Sequence, residues 1–178
     1  MHIVGISGSL RRNSYNTMLL HEIKRRYKSM FQLEIVSIHQ LPLFNQDEEL
    51  NPPKVVKELK AKIQSCDRVI IATPEYNWSV PGALKNSLDW LSRGERPMIG
   101  KPTMIIGAST GPMGTIRAQI DLRKILSSPG LAAHVLPPTE CEFLVTYASK
   151  KFSANGHLID ENTIQRLDHI IQSFLQWH

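Results

Sequence analysis

Three stretches of this 178-residue chain carry side chains suited to gripping a small, flat, anionic ligand rather than to breaking bonds unaided. The first is Gly8-Ser9-Leu10-Arg11-Arg12-Asn13-Ser14-Tyr15-Asn16-Thr17. It offers hydroxyls and amides at Ser9, Asn13, Ser14, Asn16 and Thr17, two guanidinium groups, and no carboxylate before Glu22. At the start of a helix such a loop favours a phosphate, because open N–H groups and the helix dipole both present positive charge there. A turn that only capped the helix would use one or two of these groups, not all of them plus two arginines. The second stretch, Thr73-Pro74-Glu75-Tyr76-Asn77-Trp78-Ser79, sets aromatic rings beside backbone groups that can hydrogen-bond the edge of a planar ligand. In the third, Ala108-Ser109-Thr110-Gly111-Pro112-Met113-Gly114, two glycines permit close approach of the backbone, whose N–H groups can face negative charge.

Other phosphate-binding patterns do not fit. A dinucleotide fingerprint needs a third glycine after Gly5 and Gly8 and an acidic residue at the end of the second strand, where Ser37-Ile38-His39 supplies none. A P-loop fails because Gly94 precedes Gly100-Lys101 by one residue too many and Pro102 stands where Ser or Thr is required. A mononucleotide phosphate remains. The seven histidines show no metal-ligand spacing, and Glu140-Cys141-Glu142 offers no second cluster. Gly107-Ala108-Ser109-Thr110-Gly111 does match the G-x-S-x-G nucleophile elbow, with Asp160 and His169 following in the order of a hydrolase triad. That reading would leave the first two loops idle, in a chain short for such an enzyme.

The elements that must position these loops alternate between short apolar runs and helical patterns, the signature of βαβ units and a parallel sheet. Strands are expected at 2–7, 33–38, 68–73 and 103–108, with a fifth somewhere between 132 and 143. Helices are expected at about 14–27, 54–65, 81–91, 115–126 and 161–176, the third capped by Ser79 and the last by Asp160. Residues 41–53 read as a loop, marked by three prolines and the acidic tip Asp47-Glu48-Glu49. No repeat or linker divides the chain, so residues 1–178 are expected to form one domain. In such a sheet, ligands bind outside the carboxyl ends of the strands, where all three loops fall.

Composition agrees with a soluble globular protein, at 42% hydrophobic and 21% charged residues. The net charge of +5 raises nucleic acid as a partner, but the basic residues are scattered and suit solvated faces and small anions better. No signal peptide or membrane span is legible, and the two cysteines, Cys66 and Cys141, suit a reducing cytoplasm.

Gly8-Ser9-Leu10-Arg11-x-x-Ser14-x-Asn16, followed by Pro74-Glu75-Tyr76-Asn77-x-Ser79-x-Pro81-Gly82-x-Leu84-Lys85-Asn86, resembles the NADPH-dependent FMN reductases. The likeness extends through Leu41-Pro42-Leu43-Phe44, Asp89 to Arg93, Gly100-Lys101-Pro102 and Gly156-x-Leu158-x-Asp160, nearest the chromate and quinone reductase branch. It implies a flavodoxin-like α/β three-layer sandwich with a five-stranded parallel sheet in the order 2-1-3-4-5. It implies FMN as cofactor and NADPH or NADH as co-substrate. The activity implied is hydride transfer to the flavin, then two-electron reduction of a quinone, azo compound, chromate or free flavin, with no catalytic side chain required. Carried over by position, Ser9, Arg11, Ser14, Tyr15, Asn16 and Thr17 would hold the FMN phosphate and ribityl chain. Pro74, Glu75, Tyr76, Asn77 and Trp78 would border the ring, with Ser109, Thr110 and Gly111 on its opposite edge. Arg11, Arg12 and Arg93 are candidates to attract the phosphates of NADPH. The likeness also implies a homodimer or homotetramer. This chain departs from the family at Thr115-Ile116, where small residues are common, and at Trp78, where Tyr is common. A flavodoxin-type electron carrier and a redox-sensing regulator that binds a partner are the remaining alternatives, though such carriers are usually acidic and this chain is basic.

Overall fold

In the computed structural model, residues 1–177 are described, apart from the side chains of residues 140 and 141. The sheet begins with β1 (His2–Ser7), β2 (Gln32–Val36), β3 (Arg68–Ala72) and β4 (Pro102–Ala108). Their order is β2-β1-β3-β4, all parallel, with Gly5 opposite Ile35 on one side and Ile70 on the other. From β1 the chain winds outward to β2, and from β3 it winds the opposite way to β4. The crevice between β1 and β3 is therefore the topological switch point, where open α/β sheets take their ligands.

The fifth position differs from the expectation of one strand. It is shared by β5 (His134–Val135), beside Pro102 and Thr103, and β6 (Phe143–Val145), beside Ile106 to Ala108. Pro137 and Pro138 interrupt the run: proline lacks the ladder donor, and the one-turn helix α5 (Pro138–Cys141) fills the gap before pairing resumes. The order 2-1-3-4-5 holds, with a sixth strand added on the same side of β4.

The helices are α1 (Tyr15–Arg26), α2 (Lys54–Ser65), α3 (Gly82–Leu91), α4 (Ile116–Leu126), the short α6 (Ala148–Lys151) and α7 (Glu161–Gln176). Because strand side chains alternate, β3 feeds two cores. Ile70 and Ala72 pack with Leu19, Leu20 and Ile23 of α1 and Leu167, Ile171 and Phe174 of α7. Val69 and Ile71 pack on the other face with Leu59 and Ile63 of α2, Leu84 and Leu88 of α3 and Leu122 of α4. This two-sided burial explains the unbroken Val/Ile run of β3. Helix α7 is capped by Asp160, which accepts from Thr163 N, as its sequence predicts. Ser79 does not cap α3. The cap position falls on Pro81, two residues later, and the Ser79 hydroxyl donates to Asp121 Oδ2 at 2.7 Å instead. Cys66 is buried and free, whereas the side chain of Cys141 lies outside the described residues. Among the described residues no helix is long and apolar enough to cross a membrane.

Candidate functional site

All three loops meet at the switch point around a cavity of about 280 Å³, near the lower end for a ligand pocket. The β1–α1 loop contributes Ser9, Arg11, Ser14, Tyr15 and Asn16, the β3–α3 loop Pro74, Glu75 and Tyr76, and the β4–α4 loop Ala108, Ser109 and Thr110. Four expected residues stand outside it. Thr17 faces a neighbouring cavity at the end of β2, Asn77 and Trp78 form a turn beyond Tyr76, and Gly111 lies one residue past the wall.

The β1–α1 loop leaves its positive groups open. Gly8 N donates to Ala72 O at 2.8 Å and carries the chain off the sheet edge. Ser14 caps α1, its hydroxyl accepting from Asn16 N and Thr17 N. The backbone amides of Ser14 and Tyr15 have no acceptor among the described residues. Arg11 lies over the Tyr15 ring at 5.5 Å, and neither it nor Arg12 has a carboxylate partner among the described residues. A helix N-terminus with open donors beside an uncompensated guanidinium is an anion cradle.

Asn16 has a task that its sequence does not reveal. It is buried, and its amide makes two hydrogen bonds with one residue of β4: Nδ2 donates to Ala108 O at 3.0 Å and Ala108 N donates to Oδ1 at 2.9 Å. It clamps the cradle to the sheet through one amide hydrogen and the carbonyl oxygen, while lining the cavity.

Glu75 is likewise occupied. Its Oε2 accepts from Arg117 N at 2.9 Å and Ala118 N at 3.2 Å, capping α4, whose own Thr115 gives no side-chain cap. Its Oε1 lies 3.7 Å from the Arg117 guanidinium, which covers the Trp78 ring at 4.6 Å. Thus the one carboxylate in the cavity wall is neutralised by a helix end and an arginine. Beyond it the chain reverses in a two-residue hairpin, with Tyr76 and Ser79 exchanging backbone hydrogen bonds. Asn77 and Trp78 both take left-handed φ, 51° and 67°, as such a turn demands. The turn holds Trp78 71% exposed at the rim, while Tyr76 OH reaches back to Ser9 Oγ at 3.5 Å.

On the β4–α4 side, Ser109 N is taken by Val145 O and Gly111 N by Ser109 Oγ, leaving only the Thr110 amide of the three open among the described residues. Thr115 is fully buried against Gly107, where an added Cβ would collide with Thr115 Oγ1. The larger residue and the missing side chain fit one another. Ala108, absent from the sequence-based set, matters through its backbone, which carries no residue-type signal. Arg93 does not line this cavity: it pairs with Glu49 and lies over Phe44.

The hydrolase reading fails on geometry. Ser109 Oγ accepts from a backbone amide, Asp160 is committed to Thr163, and His169 lines a different cavity beside α7. Among the described residues no cluster could hold a metal. An FMN-sized ligand fits the donor set: open amides and Arg11 for a phosphate, hydroxyls along the wall, and aromatic rings at the rim.

Comparison with known proteins gives a consistent picture. Residues 1–148 match the family model described as NADPH-dependent FMN reductase. The chain is 40% identical over 98% of its length, and 86% of the relative's, to the NADH:(hydroxy)cinnamate reductase subunit CrdA of Vibrio ruber. It is 38% identical over 98% of its length, and 94% of the relative's, to an NAD(P)H-dependent FMN reductase of Pseudomonas aeruginosa. Among solved structures, the flavoenzyme NAD(P)H:(acceptor) oxidoreductase FerB of Paracoccus denitrificans superposes with a TM-score of 0.87. That match has 30% identity and covers 99% of this chain and 96% of FerB.

Proposed function

The chain belongs to the NADPH-dependent FMN reductase family, and on that premise we propose that the cavity at the switch point is where it holds FMN. The protein is a flavodoxin-like NAD(P)H-dependent oxidoreductase, with FMN as cofactor and NADH or NADPH as co-substrate. The observation that carries the placement is the α1 N-terminus, where the Ser14 and Tyr15 amides stand open beside Arg11.

When bound, FMN supplies two-electron transfer between the nicotinamide and an acceptor. The protein's part is binding, orientation and exclusion. Ser14, Tyr15 and Arg11 hold the phosphate, while Ser9 and Tyr76 border the ribityl chain. Asn16 fixes the distance between this cradle and β4. The amides of Glu75, Asn77 and Trp78, unbonded among the described residues, would offer donors to the polar edge of the ring. Thr110 N–H would serve the opposite edge, where a fixed donor favours negative charge. Glu75 locks α4 and Arg117, and through them the Trp78 ring at the entrance. Gly111 N–H holds the Ser109 hydroxyl, and Thr17 bonds Ser7 at the foot of the β1–α1 loop.

The exposed Tyr76 and Trp78 rings at the rim suit planar or small acceptors: a quinone, an azo compound, chromate or free flavin. Residues 1–178 act as one FMN-binding domain, working as a homodimer or homotetramer in the cytoplasm. Titration of the purified protein with FMN, followed by visible absorption and then by NADPH under anaerobic conditions, tests the reading. Uptake of one FMN per chain and bleaching by NADPH are expected. A protein that takes up no flavin overturns it.

A further inference from the structure

Arg117 stands beside the Trp78 turn with its position fixed and its donors free. Two neighbours fix it: Glu75 Oε1 lies 3.7 Å from Nη1, and the Trp78 ring centre lies 4.6 Å from Cζ. Neither takes a hydrogen bond, since the first is an ion-pair distance and the second a contact with a ring face. The other oxygen of Glu75, Oε2, is occupied by the backbone amides of Arg117 and Ala118. No guanidinium N–H of Arg117 therefore has a hydrogen-bond acceptor among the described residues, and the side chain is 42% exposed.

Its surroundings are aromatic and positive. Tyr76 is 49% exposed and Trp78 more so, and each offers ring surface to solvent. Glu75 is the one carboxylate among the residues that line the cavity, and it serves the N-terminus of α4 as well as Arg117. That helix end carries about half a positive charge and the guanidinium a whole one, so against a single carboxylate a positive surplus remains. The surplus has a use. FMN brings a phosphate into the cavity, so an acidic acceptor would approach a cofactor of its own sign. A fixed cation at the rim offsets that repulsion and draws the acceptor in.

We infer that Arg117 is a specificity-determining residue, which selects planar aromatic acceptors that carry a carboxylate or sulfonate. The acceptor's ring lies against the aromatic rim while its anionic group takes parallel N–H donors of the guanidinium. Glu75 and Trp78 hold the fork in place beforehand, so little ordering is left for binding to do. This inference rests on the flavin reading and names the acceptor class of that same site. The overall transfer balances as for any quinone. NADPH, one proton and the quinone give NADP⁺ and the hydroquinone, whose two added hydrogens come from the hydride and the proton.

The test gives the FMN-loaded protein 1,4-naphthoquinone-2-sulfonate and plain 1,4-naphthoquinone as alternative acceptors. In Arg117→Gln the ratio of kcat/KM for the sulfonated quinone to that for the plain one should fall about fivefold, the scale of one half-exposed ion pair. Arg117→Lys keeps the charge but loses the fork, so it should recover only part of that ratio. Both variants retain the backbone amide that Glu75 accepts, so α4 stays capped. A redox-inert pair gives a second readout. 2-Naphthalenesulfonate should inhibit more strongly than its neutral counterpart, 2-naphthalenesulfonamide, and should lose that advantage in Arg117→Gln. An unmoved quinone ratio, or equal inhibition by the two inert probes, overturns the inference. Should the protein take up no FMN, the flavin reading fails by itself. Titration of the flavin-free chain with the inert pair, followed by tryptophan fluorescence, then decides this one. A preference for the sulfonate that Arg117→Gln abolishes upholds the aromatic-anion site, and no preference rejects it.

Discussion

Helices α1 and α4 both begin at the switch point, and they treat their positive ends in opposite ways. At α1 a local serine, Ser14, satisfies two amides and leaves two more open beside an unpaired arginine. At α4 the local Thr115 satisfies none, and a carboxylate from the β3–α3 loop, Glu75, fills the place. One end awaits an anion from outside, and the other already has one from within. The difference teaches that a cavity can be lined by two similar dipoles and still direct a phosphate to only one of them. The capped end instead becomes a rigid mount for Arg117 and Trp78.

The largest way to disturb this division is at the seat of α4. Gly107→Ala drives a methyl into Thr115 and within 2.7 Å of Thr73 O, so destabilisation of about 3 kcal/mol is expected in urea unfolding. A loss near zero would mean that α4 is loosely seated. Next comes the open end. Arg11→Ala should raise the Kd for FMN about tenfold, or about 1.4 kcal/mol, while the flavin-free protein unfolds at an unchanged urea midpoint. Glu75→Gln should give the mirror result, about 1 kcal/mol less stability and a smaller change in FMN affinity than Arg11→Ala causes. If Glu75→Gln were the one that weakened FMN more, the two ends would have been assigned the wrong way round.

The smallest effect uses α7 as a reference. The Asp160 carboxyl is held below its ordinary value, chiefly by the Thr163 hydroxyl and then by the Thr163 amide. Because its folded value is depressed, the cap stabilises α7 above the unfolded carboxylate pKa of about 3.9 and is lost as pH falls through the lower, folded value. Urea midpoints of the natural protein and Asp160→Asn should therefore draw together on acidification. Helix α1 has no acidic residue in its first turn and its cap is a serine, so no such acid-linked loss is expected there.

Much of this arrangement could be read before any coordinates. The Val/Ile run of β3 and the spacing of Leu19, Ile23 and Tyr27 fixed elements and faces, since both follow from local periodicity. The cradle was legible because a missing carboxylate and a surplus of hydroxyls are visible along the chain. What escaped is pairing over distance. Asn16 and Ala108 are 92 positions apart, and Glu75 and Arg117 are 42 apart, so sequence alone gives no sign that these pairs bond. Ser79 has the right type and place to cap α3, but Asp121 on α4 competes for its hydroxyl. The division of the fifth strand depends on how Pro137 and Pro138 interrupt pairing with β4, which only the register reveals.

The hairpin at Tyr76 to Ser79 has a consequence for how such a protein diversifies. Trp78 already occupies a backbone conformation disfavoured for a bulky residue, and its side chain lies mostly in solvent. Exchanging it costs the fold little and alters only what greets an arriving molecule. Selection can thus rewrite position 78 while the cradle at α1 is inherited intact. That makes the turn a natural seam along which one ancestral scaffold acquires new clientele.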